Sequence, residues 1–198
     1  MSKARRILAS IAAAAALAAA ASAEQTRYVG FDIGAGRSND TGSYCAGLGI
    51  NDCEKDGLLL RFRGGFEFSE HVAGEFFYAE TNDMAVEQVN HDNNIGLLTG
   101  EYHMQFTGAA VKLILPAETV NAFVRLGFHN WKREGSAATA SSPNLSRVDF
   151  SGSGTNFAYG FGAEYKLAPN MRVLAAYDNY KTADLDVAGA GIGLSFHF

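Results

Sequence analysis

Long apolar runs are missing from most of this sequence. Beyond residue 21, no stretch approaches the roughly 20 apolar residues that a membrane-crossing helix requires, so a helical membrane protein is excluded. Basic residues are scarce as well: 16 Lys and Arg stand against 21 Asp and Glu, a net charge of −5. That balance speaks against nucleic acid, whose phosphates need a basic surface. There are two cysteines, Cys45 and Cys53, with no second Cys or His pair beside them, which argues against a zinc site. Nor is there a Gly-x-Ser-x-Gly elbow, a phosphate-cradling glycine loop or a His-Glu-x-x-His helix.

The one apolar run that does occur, Ile7 to Ala21, follows Lys3, Arg5 and Arg6 and ends at Ala21-Ser22-Ala23. A basic start, a short apolar middle and a small-residue end are the parts of a cleaved secretory signal peptide. Residues 1–23 are therefore set aside, and the mature chain is expected to be 24–198. Removing three basic residues leaves 13 against 21 acidic ones, a net charge of −8. Export places Cys45 and Cys53 in an oxidising compartment. Their short separation in a polar, Gly-containing loop points to a disulfide between them.

What the mature chain has in abundance is alternation. In the last strand Ala188, Ala190, Ile192, Leu194, Phe196 and Phe198 share one parity, and Gly189, Gly191, Gly193, Ser195 and His197 the other. Successive side chains of a strand point to opposite faces, so one face is apolar and the other small or polar. The first strand sets Val29, Phe31, Ile33 and Ala35 against Gly30, Asp32, Gly34 and Gly36. The second sets Leu58, Leu60, Phe62, Phe66 and Phe68 against Arg61, Arg63 and Glu67, and the third Val72, Phe76 and Tyr78 against Glu75. The fourth opposes Ala109, Val111, Leu113 and Leu115 to Lys112, and the fifth Val124, Leu126 and Phe128 to Arg125 and His129. The sixth opposes Phe157, Tyr159, Phe161, Tyr165 and Leu167 to Asn156, Gly160, Gly162, Glu164 and Lys166. The seventh opposes Val173, Ala175 and Tyr177 to Arg172 and Asp178.

Eight such strands predict an all-β protein: an antiparallel up-and-down barrel. The choice of face follows from crowding. A barrel of eight strands is just wide enough for side chains to fill, so its glycines belong inside and its bulky Phe, Leu and Tyr outside. Only lipid tolerates that arrangement, and the backbone must close on itself because hydrocarbon offers no hydrogen bonds. The connections alternate as in membrane barrels. Short ones fall at 69–71, 116–120 and 168–170, and longer polar ones at 37–56, 81–101, 132–152 and 181–186. An even strand count predicts both termini on the periplasmic side and the long loops outside. Aromatic belts are expected from Phe66, Phe68, Phe123, Tyr165, Phe196 and Phe198 at the turn side, and from Tyr78, Tyr102, Trp131 and Tyr180 at the loop side.

The interior parity carries Arg61, Arg63, Lys112, Arg125, Lys166 and Arg172 with Asp32, Glu67, Glu75, Glu164 and Asp178. Buried charges persist when paired, so these predict a lumenal ion-pair network. The same residues would suit a gate, with Glu75 exchanging partners among Arg61, Arg63 and Arg125. Enzymatic chemistry finds little support. A serine nucleophile needs a histidine in contact with it, and none of His71, His91, His103, His129 and His197 has a serine two residues after it; the nearest arrangement is Ser195 with His197, in reversed order. Asp83, Glu87, His91 and Asp92 cluster in the second loop, where a solvated acidic loop is the simpler reading than a cation site.

Four segments together resemble the small outer-membrane barrels of the OmpA-like transmembrane and OmpX type. They are Tyr28-Val-Gly-Phe-Asp-Ile-Gly-Ala-Gly, Phe123-Val-Arg-Leu-Gly-Phe-His-Asn-Trp131, Tyr159-Gly-Phe-Gly-Ala-Glu-Tyr165 and the ending Gly-Leu-Ser-Phe-His-Phe198. The resemblance implies location in the outer membrane of a Gram-negative bacterium, contact with its lipid and lipopolysaccharide, and no cofactor. It also implies that Leu194, Phe196 and Phe198 form the signal read by the barrel-assembly machinery. The expected role is structural, or an interaction surface for an extracellular ligand carried by the outer loops. A narrow porin-like channel for small solutes is the first alternative and a lipid A-modifying enzyme the second.

Overall fold

The computed structural model describes residues 26–39, 52–53, 56–88, 98–141, 144–183 and 186–198. They form ten strands: β1 (Thr26–Asn39), β2 (Asp52–Cys53), β3 (Asp56–Ser69), β4 (Val72–Thr81), β5 (Met84–Gln88), β6 (Leu98–Leu115), β7 (Val120–Ser141), β8 (Asn144–Ala168), β9 (Met171–Tyr180) and β10 (Asp186–His197). Eight of them close a ring. β1 pairs with β3, β3 with β4, β4 with β6, β6 with β7, β7 with β8, β8 with β9, β9 with β10, and β10 returns to β1, every pair antiparallel. β5 adds to the upper part of β6, and β2 to β5. The seam is sealed to the last residue: the Phe198 amide donates to the Arg27 carbonyl at 2.8 Å and the Arg27 amide to the Phe198 carbonyl at 2.9 Å. A closed ladder leaves no unpaired edge in hydrocarbon.

The two faces divide as the alternation predicts. Phe128 (66%), Ile192 (64%), Phe161 (56%) and Phe62 (54%) stay exposed on the outside, while Arg63, Glu75, Lys112 and Glu164 are buried within. Along β8 the outward apolar face runs from Leu167 to Phe157, about 33 Å of strand and about 25 Å of height at a tilt near 40°. It ends at one level on three neighbouring strands. Phe128 lies opposite Phe157 and Ala109, and one step higher Asn130 lies opposite Thr155 and Thr107.

Above that line β7 and β8 continue as a paired ribbon to Ser141 opposite Asn144, and β6 accompanies β7 up to Leu98 opposite Thr139. The segment 132–152, expected as a loop, is therefore mostly strand, and β6 begins well before Ala109. The cause is physical. The alternation used to find strands is imposed by lipid on one face, and once a strand leaves the lipid only the backbone ladder requires pairing.

The filling of the barrel is layered. Leu59, Phe77, Met84, Tyr102, Met104, Phe106, Trp131, Tyr180 and Val187 form an apolar cluster toward the ribbon end, and Tyr28, Ala73, Ile114 and Phe123 a smaller one toward the turn end. Tyr102, Trp131, Tyr180 and Phe123 thus point inward and do not contribute to interfacial belts. They share the parity of Lys112, Arg125 and Asp178, and parity sets the face whatever the height along the strand. Tyr78 does sit on the outer face, its hydroxyl donating to Glu80 at 2.5 Å.

Candidate functional site

Between the two apolar layers the charged side chains form a closed ring. Arg61 Nε donates to Asp32 Oδ2 at 2.6 Å, and Arg61 Nη1 bonds Asp178 on the far wall. Arg125 Nη1 donates to the same Asp178 carboxylate at 2.9 Å, and Arg125 Nε lies 3.3 Å from Glu75 Oε1. Glu75 Oε2 lies 3.6 Å from Arg63 Nη1, and Arg63 Nε returns to Asp32 at 3.2 Å. Acid and base alternate around six residues contributed by β1, β3, β4, β7 and β9, so the ring ties together strands that are not neighbours in the sheet.

A tail of charges descends from it. Glu164 accepts from Lys112 and lies 3.7 Å from Arg63 Nη1 and 3.3 Å from Arg172 Nη1, and Arg172 donates to Glu67 at 2.7 Å. Lys112 Nζ stands 4.7 Å and the Arg125 guanidinium 4.5 Å from the centre of the Phe123 ring, a cation–π floor to the layer. Two glycines make room for the acids. A Cβ on Gly193 would fall 2.0 Å from Asp32 Oδ1, and one on Gly160 would fall 2.1 Å from Asp178 Oδ1.

Of the lumenal residues expected from the sequence, Asp32, Arg61, Arg63, Glu67, Glu75, Lys112, Arg125, Glu164, Arg172 and Asp178 come together in this way. Lys166 does not. It is exposed at the turn end, where its ammonium donates to the Ala117 carbonyl at 2.9 Å. A long flexible stem at the end of a strand lets the charge reach water and the neighbouring turn. Sequence reasoning also missed Tyr28, whose hydroxyl donates to Glu75 at 2.9 Å, because an aromatic gives no charge signal.

The centre leaves little free space. A void of about 10 Å³ lies among Arg61, Glu75, Arg125, Asp178 and Tyr180, room for about one water. Ser195, His197 and Glu67 do line up at the turn end: Ser195 Oγ is 3.2 Å from His197 Nε2, and His197 Nδ1 is 3.6 Å from Glu67 Oε1. Yet Ser195 is completely buried, Glu67 is held by Arg172, and the imidazole stacks on Tyr28 at 5.2 Å. An acyl carbonyl has no approach to that hydroxyl.

Outside the barrel, above the apolar band, a cleft of about 390 Å³ opens on the ribbon wall, lined by Asp83, Glu101, His103, Glu134, Ser136, Arg147, Asp149 and Ser151. His103 lies 3.6 Å from Asp83 and 3.8 Å from Glu134, and Arg147 Nε donates to Asp149 at 3.2 Å. The hydrogen bond and charge of Lys132 hold the Glu134 carboxyl below the usual range. Asp83 belongs to this wall, whereas His91 and Asp92 of the same expected cluster lie outside the described residues, as do Cys45 and the leader. Leu194, Phe196 and Phe198 are exposed on the outer face of β10 and at its end.

The chain matches solved barrels over most of its length. Ail, the attachment invasion locus protein of Yersinia pestis, in complex with the heparin analogue sucrose octasulfate, is 20% identical; the match covers 89% of this chain and 100% of that one, with a TM-score of 0.58. Neisserial surface protein A is 12% identical over 87% of this chain and 97% of its own, with a TM-score of 0.55. No curated protein sequence matches the chain. The model of the outer membrane protein beta-barrel domain matches residues 7–198, so with its closed eight-stranded ring, apolar exterior and charge-filled interior the chain belongs to that family of outer-membrane β-barrels.

Proposed function

We propose that this outer-membrane barrel serves as a surface-interaction protein whose working part is the ribbon raised above the lipid band, with the barrel as its anchor. One observation carries the reading: β7 and β8 stay paired from the polar boundary at Asn130 and Thr155 up to Ser141 and Asn144, while the interior below is filled. A paired ribbon is a rigid way to present side chains at a distance from a membrane. In this reading residues 1–23 direct export and are removed. Leu194, Phe196 and Phe198 address the chain to the assembly machinery, the short turns and both termini face the periplasm, and the long ends face outward. Cys45 and Cys53 then bridge within the first outer loop and restrict it. The apolar belt meets lipid, and the polar wall above it meets lipopolysaccharide. The lumenal charges act as a structural staple: each has an opposite partner, and apolar layers lie on either side of them, which supports a filled interior over a path for a solute. The buried Ser195 speaks against acyl transfer. Ail is seen with a sulfated polyanion, whereas the cleft here gathers Asp83, Glu101, Glu134 and Asp149 against His103 and Arg147, which suits a ligand of the opposite charge.

The test shortens the ribbon. Lys132 lies opposite Ser153, so replacing 133–152 with Asn-Gly leaves a two-residue hairpin in register. Bacteria displaying the shortened barrel are expected to lose retention on a cultured epithelial monolayer, down to the level of non-expressing cells. A mobility shift on boiling should show that the barrel still folds. Undiminished retention with a folded barrel contradicts the reading.

A further inference from the structure

Between β4 and β5 the ladder along β6 slips by one residue. Glu80 lies opposite Gln105 and Met84 opposite Tyr102, so Thr81, Asn82 and Asp83 face only His103 and Met104. Three residues against two make a bulge, which bends the strand and resets its parity. Asp83 is thereby exposed on the outer wall, while Met84 is buried on the inner one. Side chains replace ladder bonds there. Thr81 Oγ1 accepts from the Met104 amide at 3.0 Å, and Asn82 Oδ1 accepts from the Leu58 amide at 2.6 Å. Beyond the bulge β5 is bonded to β6 over five residues, and among the described residues only the two of β2 lie on its other side. The bulge is the joint of a short arm made of β5 and β2.

His103 stands at that joint with a carboxylate on each side. Its Nδ1 lies 3.6 Å from Asp83 Oδ1, and its Nε2 lies 3.8 Å from Glu134 Oε2 on β7. A neutral imidazole has one N–H, so it serves one carboxylate and turns a lone pair to the other; an imidazolium has two and serves both. The other charges on this wall are Glu101 on β6, Lys132 on β7, and Arg147 and Asp149 on β8. Lys132 pairs with Glu134, and Arg147 with Asp149. Among the described residues Asp83 has no cation but His103.

From this geometry we propose that His103 is a proton-operated clasp. Charged, it bridges the joint to β7 across β6 and holds the arm of β5 and β2 against the ribbon. Neutral, it holds one side only, and the arm opens more often. Histidine is the side chain that ordinarily changes charge between about pH 5 and 8. Carboxylates ordinarily stay ionised through that range, Glu134 the more so because Lys132 holds its carboxyl below the usual values. The upper arm is therefore tighter in acid than at neutral pH, whatever the ribbon binds.

The test is amide hydrogen exchange at 84–88 in the full chain folded in detergent micelles, compared at about pH 5.5 and about pH 8, either side of the ordinary histidine range. Rates are read as protection factors, so that the intrinsic pH dependence of exchange divides out, with the amides of 124–128 in β7 as the reference. Protection at 84–88 is expected to be about two- to tenfold higher in acid, the scale of exposed ion pairs gained, and unchanged at the reference. Glutamine offers a neutral donor and acceptor, so His103→Gln should hold 84–88 at the higher-pH protection under both conditions. Asp83→Asn should shrink the difference. The boiling shift checks that each variant folds. Equal protection at the two pH values in the unsubstituted chain overturns the inference without any variant. So does a pH difference that survives in His103→Gln, or a loss in His103→Gln of the same size at both pH values, the sign of a packing role alone.

Discussion

Asp178→Asn removes one charge and almost no volume from a ring in which every acid is shared. Asp178 accepts from both Arg61 and Arg125, and its substitution leaves the five basic residues Arg61, Arg63, Lys112, Arg125 and Arg172 facing the four acids Asp32, Glu67, Glu75 and Glu164. Breaking a buried pair by removing one partner costs about 3–5 kcal/mol, because the remaining charge has no water to return to. With a urea slope near 2 kcal/mol/M that is a fall of about 1.5–2.5 M in the unfolding midpoint. The assay is the folded fraction on a gel without boiling, as a function of urea, for protein in detergent. Adding Arg125→Met to Asp178→Asn restores the charge balance, and the double variant is expected to recover most of the loss. A loss below about 1 kcal/mol, or strict additivity of the two substitutions, would refute the ring as a cross-lumen staple.

Gly160→Ala should cost about 1–3 kcal/mol by driving its new methyl into the Asp178 carboxylate, and should cost nearly as much when Asp178 is already Asn, whose side chain fills the same space; the same urea series reads both. Lys166→Ala should change stability by no more than about 0.5 kcal/mol, since its ammonium reaches an exposed turn, unlike the fully buried Lys112. Lys132→Ala should raise the Glu134 carboxyl pKa toward the ordinary range, read by NMR titration. The Lys132–Glu134 contact is present above that range and fades as pH falls through the depressed value, so an unmoved titration would remove Lys132 as the cause.

Much of the barrel is legible because lipid and crowding act on every second residue. Val29, Phe31 and Ile33 face out and Gly30, Asp32 and Gly34 face in for one reason, and that reason repeats through to Ile192 and Leu194. The charges of the interior are legible for the same cause. Their partners are not: alternation places Arg61 inside without saying whether it meets Glu75 or Asp178, because register across non-neighbouring strands is a three-dimensional property. Height is equally invisible. Trp131 and Tyr102 suit an interface by position along the strand, yet their parity puts them in the lumen. The ribbon escapes notice because Gly135 to Ser141 and Asn144 to Ser151 carry no lipid-facing pattern, and the cleft it bears draws residues from four separate stretches of chain.

The account places function on the ribbon and a closed filling in the barrel, and conductance tests that division most directly. Purified protein, folded and reconstituted into planar lipid bilayers, is predicted to insert without opening stepwise channels, and Glu75→Gln should leave the current unchanged. Reproducible single-channel steps, altered by substitution at Glu75 or Arg125, would mean that the lumen conducts and that the ring is a gate.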